Sequence, residues 1–318
     1  MQYPEFDPVA FSIGPLFGWG PLQVRWYGLM YLATFVIAWF GLRARAAYPW
    51  SKLKREQMDD VVFYGALGTI VGGRVGYMLF YDFGDLVANP LSLFSVWQGG
   101  MSFHGGLIGV LTAMWLYSRQ IRQPFFVLTD AIAPWASFGL FLGRMGNFIN
   151  GELWGKVTSP DAPWAVIYKG EPRHPSQLYE GFLEGLVLFS VLWVYGRKPR
   201  PTMAASGLFL LLYGVFRIAL EFVRVPDGGV YLALGWVTRG QVLSVPMVLF
   251  GGWLLWLALR APAADASLRR ERGEPGASTS SSHERAAAEA SPPRGPADAD
   301  ADDSPPSTAP PPAPKSAG

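Results

Sequence analysis

Long apolar runs dominate this chain between residues 24 and 259. An α-helix needs about 20 residues to cross the hydrocarbon core of a bilayer, and each run is close to that length. Backbone groups inside a bilayer must satisfy one another, which favours helices over open strands. We therefore predict an all-α, polytopic integral membrane protein with seven transmembrane helices, at about 24–42, 60–80, 100–117, 125–143, 178–195, 206–224 and 241–259.

Basic residues indicate which ends of these segments face the cytoplasm. The loop after the second segment, YDFGDLVANPLSLFSVWQGG, contains no lysine or arginine. The pattern predicts that the N-terminus lies outside and the C-terminus in the cytoplasm. The N-terminal residues lack a basic leader and do not resemble a cleavable signal peptide. The basic residues that set this orientation are Arg43, Arg45, Lys52, Lys54, Arg55, Arg119, Arg122, Arg197, Lys198, Arg200, Arg260, Arg269, Arg270 and Arg272.

Composition divides the chain into two parts. Residues 1–260 form the predicted transmembrane catalytic domain. Residues 261–318 are rich in proline, alanine and serine, contain one leucine, and lack phenylalanine, tyrosine and tryptophan. Because such a segment cannot bury enough apolar surface to offset its ordering entropy, we expect a disordered cytoplasmic tail.

Several site classes are excluded or disfavoured by residue content. The chain has no cysteine, which excludes a thiol nucleophile, a thiolate metal site and a disulfide within it. The three histidines are too far apart to indicate a metal motif. A Ser-His-Asp set, a phosphate-cradling GxxxxGK loop and a glycosidase-like carboxylate pair are also missing. We expect no metal, no cofactor and no nucleic-acid partner.

Glycines recur at four-residue spacing in three of the predicted segments. This spacing places them on one face of a helix, where another backbone can approach closely. Most of these glycines are predicted to serve helix packing rather than chemistry. They are Gly68, Gly72 and Gly76, then Gly105 and Gly109, then Gly139 and Gly143.

Polar residues that are energetically unfavourable inside a membrane lie near the outer ends of four predicted segments. Charged groups in hydrocarbon usually face a cavity or a partner. Tyr213, Arg217 and Glu221 are four apart, so they share one face of the sixth segment. We predict that these groups meet in the outer half of the membrane. The full set is Tyr27, His104, Arg144, Asn147, Asn150, Glu152, Tyr213, Arg217 and Glu221.

Each residue also has a purely structural interpretation. Arg217 and Glu221 could form a structural ion pair, Tyr27 could belong to an interfacial aromatic belt, and Arg144 could extend towards the headgroups. A lone histidine such as His104 is more often a packing residue than a base. Arg74 is ambiguous in the same way, and Arg239 is interpreted as an interfacial anchor.

Two arginines and a histidine at one depth are harder to explain structurally. Arginine binds phosphate bidentately, which favours a phospholipid headgroup.

Seven motifs together are similar to those of the bacterial prolipoprotein diacylglyceryl transferases. They are PEFDPVAFSIGPL, WYGLMY, GGRVGYMLFYDF, GGMSFHGGLIG, GRMGNFINGELWG, RHPSQLYE and YGVFRIALEFVRVPD. The resemblance extends from the N-terminus to about residue 260. It implies an inner-membrane enzyme whose active site faces the periplasmic half. Such an enzyme transfers a diacylglyceryl group from phosphatidylglycerol to the lipobox cysteine of prolipoprotein signal peptides, forming a thioether and releasing glycerol phosphate.

The resemblance also implies roles for particular residues. His104, Arg144, Arg217 and Tyr213 match catalytic positions. The phosphatidylglycerol-binding positions are matched by Arg144, Arg217, Tyr27, Asn147, Glu152, Gly155 and Glu221. The segment between Gly155 and His174 is short, which leaves a peptide-binding arm there in doubt.

Two questions remain open from the sequence, namely the role of His104 and the class of protein. His104 could be the base for the thiol. Alternatively, an arginine could activate the thiolate while His104 only orients the lipid. A transporter predicts polar residues through both membrane halves and repeated broken helices, whereas the buried charge here is one-sided. Composition alone leaves open a different phospholipid-using transferase.

Overall fold

The computed structural model describes residues 1–15, 20–96, 99–226, 231–232 and 234–260, and it is mostly helical. The predicted tail, 261–318, lies outside the described residues. The helices are α1 (Trp26–Ala46), α2 (Arg55–Phe80), α3 (Phe83–Ala88), a 3-10 turn (Pro90–Phe94), α4 (Phe103–Gln120), α5 (Phe125–Ile149), α6 (Ser176–Glu180), a π-helical segment (Gly181–Val187), α7 (Leu188–Tyr195), α8 (Ala204–Leu220) and α9 (Arg239–Arg260).

Five helices in the described part of the chain are long and apolar enough to cross a membrane. They are α1, α2, α5, α9 and the continuous helix Ser176–Tyr195, which comprises α6, the π-helical segment and α7. Helix α8 is apolar but shorter, at 17 residues. Each of the seven predicted segments overlaps a helix. A mostly helical protein with several helices suited to crossing a membrane is therefore confirmed, whereas seven crossings and the orientation stay predictions.

The sixth predicted segment is longer in sequence than its helix. We predicted a span to about residue 224, but α8 ends at Leu220. Glu221 is the C-cap residue of α8, and the chain turns there. Both Glu221 and Arg224 are buried and form ion pairs after the helix has ended. The charged residues at the end of this apolar run therefore form side-chain contacts and do not extend the helix.

Two small antiparallel sheets lie outside the helices, which the all-α prediction did not include. Strand β1 (Val9–Ile13) pairs with β2 (Leu22–Arg25), and β3 (Val166–Tyr168) pairs with β4 (Glu171–Arg173). A two-residue turn, Lys169–Gly170, joins β3 to β4 with both φ angles positive, at 51° and 83°. This backbone matches the twist of a tight hairpin. The strands contain three to five residues, and the apolar runs do not indicate them.

The beginning of the chain is anchored against the second hairpin. The Tyr3 N–H donates to the Ile167 carbonyl at 3.0 Å, and the Ile167 N–H donates to the Met1 carbonyl at 2.9 Å. The Tyr3 hydroxyl donates to the carbonyl oxygen of Phe148 at 2.7 Å. These bonds place the N-terminal segment over the end of α5, at the end of the bundle predicted to face outwards. We refer to this end as the outer end.

Helix α5 is the central element that positions the site. It contacts α1, α8 and all three segments of the Ser176–Tyr195 helix. Helix α2 packs along α4, and α8 packs along α9. Large apolar side chains such as Leu32, Phe40, Phe63 and Leu249 point outwards and are more than half exposed. An apolar outer surface of this kind suits a hydrocarbon environment.

The predicted glycine strip brings α2 and α4 into backbone contact. A Cβ added to Gly109 would lie 2.1 Å from the Gly68 carbonyl oxygen, and one added to Gly105 would lie 2.3 Å from that of Gly72. Only glycine permits such an approach. The packing prediction also holds for Gly139, which faces Thr34 of α1. It fails at Gly143, where an added Cβ would meet nothing within 4 Å.

We expect Gly109→Ala to destabilise the protein by about 1–3 kcal/mol, because α4 must move away from α2 to accommodate the methyl group. Thermal unfolding in detergent measures the change. The matched control is Gly28→Ala in α1, where an added Cβ has open space. Alanine favours a helix by up to about 1 kcal/mol over glycine, so the control should lose no stability. Equal unfolding temperatures for the two variants would contradict the close packing.

Candidate active site

The outer end of α5 supplies the first part of the site. Arg144 lies one turn before Asn147, and its Nη1 is 3.4 Å from the Asn147 amide oxygen. The Asn147 amide nitrogen donates in turn to the Glu152 carboxylate at 3.2 Å, and that of Asn150 donates to the other Glu152 oxygen at 3.3 Å. The predicted cluster of Arg144, Asn147 and Glu152 therefore forms one hydrogen-bonded chain at the end of the helix.

The helix Ser176–Tyr195 supplies two buried carboxylates. Glu180 and Glu184 both have 0% exposure. Glu184 lies in the π-helical segment, whose glycines face α5. A Cβ on Gly185 would lie 2.5 Å from the Phe141 Cβ, and one on Gly181 would lie 3.4 Å from the Arg144 Cβ. The absence of side chains at these two glycines lets the segment approach α5 closely. This approach brings Glu180 within reach of Arg144.

Glu180 is the point at which three guanidinium groups meet. Its Oε2 lies 2.6 Å from the Nη2 of Arg144 and 3.2 Å from the Nη1 of Arg217. Its Oε1 lies 2.9 Å from the Nη1 of Arg224. Arg144 belongs to α5 and Arg217 to α8, so guanidinium groups from separate helices share one oxygen atom. The predicted meeting of Arg144 and Arg217 is therefore present.

Glu221 forms a second bridge between two of these arginines. Its Oε1 lies 3.0 Å from Arg217 and 3.3 Å from Arg224. Its Oε2 accepts a hydrogen bond from the Thr238 hydroxyl at 2.6 Å. Gly240 lies so close to this carboxylate that a Cβ there would come within 2.5 Å of it. The ion pair expected from the i, i+4 spacing of Arg217 and Glu221 is present, and it fixes the Arg217 side chain from one side.

Sequence reasoning missed three members of this cluster: Glu180, Glu184 and Arg224. A usable signal existed for the first two, since they are acidic residues four apart within an apolar run predicted to span the membrane. Charged residues in such a run are functional candidates by default. Arg224 follows Glu221 by three residues, which permits the contact seen between them.

Three further predicted residues lie on α1, α8 and α4. Tyr27 packs on Gly146, where an added Cβ would lie 2.7 Å from the ring. Tyr213 lies one turn before Arg217 on α8 and stacks on Phe209 at 5.8 Å. His104 is exposed near the start of α4, with its ring 5.6 Å from that of Phe103, and no hydrogen bond from it is seen within the described ranges. A meeting of His104 with the arginines stays a prediction.

Gly155 contributes close backbone packing. Its N–H donates to the His174 carbonyl at 3.0 Å, and a Cβ there would lie 2.7 Å from the Val223 carbonyl oxygen. A side chain at this position would push apart the segments that carry His174 and Arg224. Burial, together with the charge of Lys156, lowers the pKa of His174, so its imidazole is mostly neutral near neutral pH.

A cavity of about 430 Å³ opens beside the cluster at its outer side. Arg224 lines this cavity and also contacts Glu180, so the cavity adjoins the buried charges. Its wall includes the stacked rings of Trp154 and Tyr168, whose centroids are 4.7 Å apart. The other lining residues are Leu153, Lys169, Glu171, Arg173, Val225 and Pro226.

Comparison with known proteins identifies the family of this chain. A family model described as prolipoprotein diacylglyceryl transferase matches residues 9–257, a range that contains every site residue described above. The chain belongs to the prolipoprotein diacylglyceryl transferase family. The match ends before the Pro-, Ala- and Ser-rich tail.

Similar members of the prolipoprotein diacylglyceryl transferase family come from several bacteria. A protein of Solidesulfovibrio magneticus is 55% identical over 271 residues, which cover 83% of this chain and 98% of the relative. A protein of Coxiella burnetii is 53% identical over 264 residues, covering 82% and 98%. One of Pseudomonas fluorescens is 52% identical over 278 residues, covering 84% and 99%. All three are named phosphatidylglycerol–prolipoprotein diacylglyceryl transferase.

Proposed function

We infer that this protein transfers the diacylglyceryl group of phosphatidylglycerol to the lipobox cysteine of prolipoproteins. The main structural support for this reaction is the position of two arginines. Arg144 and Arg217, on separate helices, contact a single carboxylate oxygen at one end of an apolar bundle. The names of the relatives, which pair phosphatidylglycerol with prolipoprotein, support the choice of substrates. The predicted partners remain the phospholipid, the signal peptide with its cysteine, and the surrounding bilayer.

The reaction is a substitution at carbon. The cysteine sulfur forms a bond to the terminal glyceryl carbon of the diacylglyceryl group, and the bond from that carbon to the phosphate oxygen breaks. The electron pair of the broken bond stays on the phosphate, which leaves as glycerol phosphate, and the thiol proton passes to a base, for which His104 is the candidate. Negative charge therefore grows on the phosphate as the bond breaks. Donors already directed at that position stabilise the transition state.

The paired arginines are suited to that task. A guanidinium group stays charged in any protein environment and offers two parallel N–H donors to a phosphate. Arg144 and Arg217 are held by Glu180, and Arg217 also by Glu221, so their planes are fixed before the lipid arrives. We assign the phosphate to these two guanidinium groups and the orientation of Arg217 to Glu221.

Roles for the other predicted residues follow from where they lie. Asn147 and Glu152 shape the loop beyond α5 and fix Arg144 through the Asn147 amide. Tyr27, beside Gly146, and Tyr213, one turn from Arg217, flank the arginines and are assigned to the lipid. Gly155 acts by allowing the backbone of the outer segments to close over this end. The location we propose is the bacterial inner membrane, with the site towards its periplasmic half.

The purified protein in detergent, incubated with phosphatidylglycerol labelled in its diacylglyceryl group and a lipobox peptide, tests this function. With the label in the glyceryl carbons, the expected product is a peptide that keeps the label after mild alkaline treatment has removed the ester-linked acyl chains, as a thioether linkage requires. A peptide with serine in place of the lipobox cysteine is the matched control and should remain unlabelled. Label on another acceptor would indicate a different phospholipid transferase. Absence of transfer to the cysteine peptide would refute the proposal.

We expect His104→Gln to lower the transfer rate by about 10²–10⁴-fold, the usual contribution of a general base. Because the base must be neutral to accept the thiol proton, the wild-type rate should fall as the pH drops from neutral to acidic values. That acidic limb should be missing in the variant. An unchanged ionisation in His104→Gln would eliminate His104 as the base and favour a thiolate activated by an arginine.

A further inference from the structure

Glu184 is a buried carboxylate that the mechanism above does not use. It lies in the π-helical segment with 0% exposure. Its oxygens lie 3.8 Å from Arg217 and 4.0 Å from Arg144, beyond hydrogen-bond distance. Neither oxygen has a hydrogen-bond donor among the described residues. A fully ionised carboxylate without donors in such a position is strongly disfavoured.

The two other glutamates of the cluster are in a different situation. Glu180 accepts from Arg217 and Arg224 and forms a 2.6 Å ion pair with Arg144. Glu221 accepts from the Thr238 hydroxyl at 2.6 Å and pairs with Arg217 at 3.0 Å. Both carboxylates thus have guanidinium partners at close distance. Of the three, Glu184 is the one whose surroundings accommodate a proton.

The charged and titratable groups facing Glu184 come from all the elements packed around it. Helix α5 contributes Arg144, α8 contributes Tyr213 and Arg217, and α6 contributes Glu180, while Arg224 lies beyond α8. Two arginines are therefore close, the third contacts Glu180, and one carboxylate is nearby. This arrangement lets the protonation of one residue set the net charge of the whole cluster.

The net charge of the cluster is the sum over its three arginines and three glutamates. With Arg144, Arg217, Arg224, Glu180, Glu184 and Glu221 all ionised, the cluster is neutral and offers no net attraction to an anion. A phosphodiester carries a single negative charge. With Glu184 protonated, the six residues carry one net positive charge, which matches it.

From this geometry we propose that Glu184 holds a proton while phosphatidylglycerol binds and so gives the arginine cluster the positive charge that the phosphodiester needs. The proposal deepens the proposed function and rests on it. Glu184 acts here as a positioning residue, through the electrostatics of the arginines rather than by contact with the reacting atoms. Loss of its proton at high pH neutralises the cluster and weakens lipid binding.

The KM for phosphatidylglycerol and its equilibrium dissociation constant, measured between about pH 6 and pH 9, test this assignment. For the wild type we expect both constants to rise by about tenfold towards high pH. This change corresponds to a loss of about 1.4 kcal/mol in binding free energy. In Glu184→Gln, whose amide cannot ionise, both should stay nearly constant with pH. Glu56→Gln, at an exposed position at the other end of the bundle, is the control and should keep the wild-type dependence.

A second variant keeps the test decisive if the amide disturbs folding. Glu184→Asp retains an ionisable carboxyl and should keep a rise of both constants with pH. The proposal is overturned if Glu184→Gln keeps the alkaline rise of the wild type, or if Glu184→Asp loses it. Failure of the proposed function is a separate result, because the wild type would then bind phosphatidylglycerol without transferring lipid to the peptide, or bind none at any pH.

Discussion

Replacing Arg144 with glutamine is expected to lower kcat/KM for phosphatidylglycerol by about 10²–10³-fold. This is the usual loss when one donor to a developing oxyanion is removed. The side chain pairs with Glu180 at 2.6 Å and is mostly buried, so its guanidinium group is already fixed before the reaction. Transfer of labelled diacylglyceryl to a lipobox peptide, with both substrates varied, measures the loss.

Two companion variants separate charge from geometry at this position. Arg144→Lys keeps the charge but loses the planar fork, so we expect it to recover less than about a tenth of the lost activity, roughly the gap between bidentate and point-charge binding. Arg119→Gln, at an exposed position at the other end of α4, removes a charge far from the site and should keep full activity. Full activity in Arg144→Lys would contradict a bidentate role.

Glu180→Gln is expected to destabilise the protein by about 3–5 kcal/mol, the typical loss when one partner of a buried ion pair is removed. Three guanidinium groups lie within 3.2 Å of this carboxylate, and an amide cannot compensate their charge. Its N–H₂ group would also face a donor. We expect transfer activity to fall more than about tenfold in the fraction that folds, since both phosphate-binding arginines lose their shared partner.

Thermal unfolding in detergent and the transfer assay together check this second expectation. Asp59→Asn is the matched control, because Asp59 is partly exposed and pairs with Arg43 at the other end of the bundle. Surface pairs contribute at most about 1 kcal/mol, so the control should remain close to the wild type. Wild-type stability and activity in Glu180→Gln would show that the arginines do not depend on this carboxylate.

Local spacing made part of the site predictable from the sequence. Residues four apart on a helix share a face, and this rule alone predicts that Arg217 lies beside Glu221. The same reasoning pairs Arg144 with Asn147 at i, i+3. The glycine strip of α2 and α4 was likewise predictable, because small residues at fixed spacing have a direct geometric meaning.

The shared carboxylate was not predictable in the same way. Its position depends on how α5, α6 and α8 approach one another, and that depends on the π-helical segment at Gly181–Val187 and on Gly185 against Phe141. Nothing in local periodicity indicates a π turn within an apolar run. Both arginines were therefore predictable from the sequence, whereas Glu180, the residue that joins them, was not.

A structure of the protein with phosphatidylglycerol bound tests the central assignment most directly. The account predicts phosphate oxygens at hydrogen-bond distance, roughly 2.7–2.9 Å, from the guanidinium groups of both Arg144 and Arg217. The acyl chains should extend from there between the helices into the bilayer. A headgroup bound elsewhere, with both arginines still engaged only by Glu180 and Glu221, would contradict it.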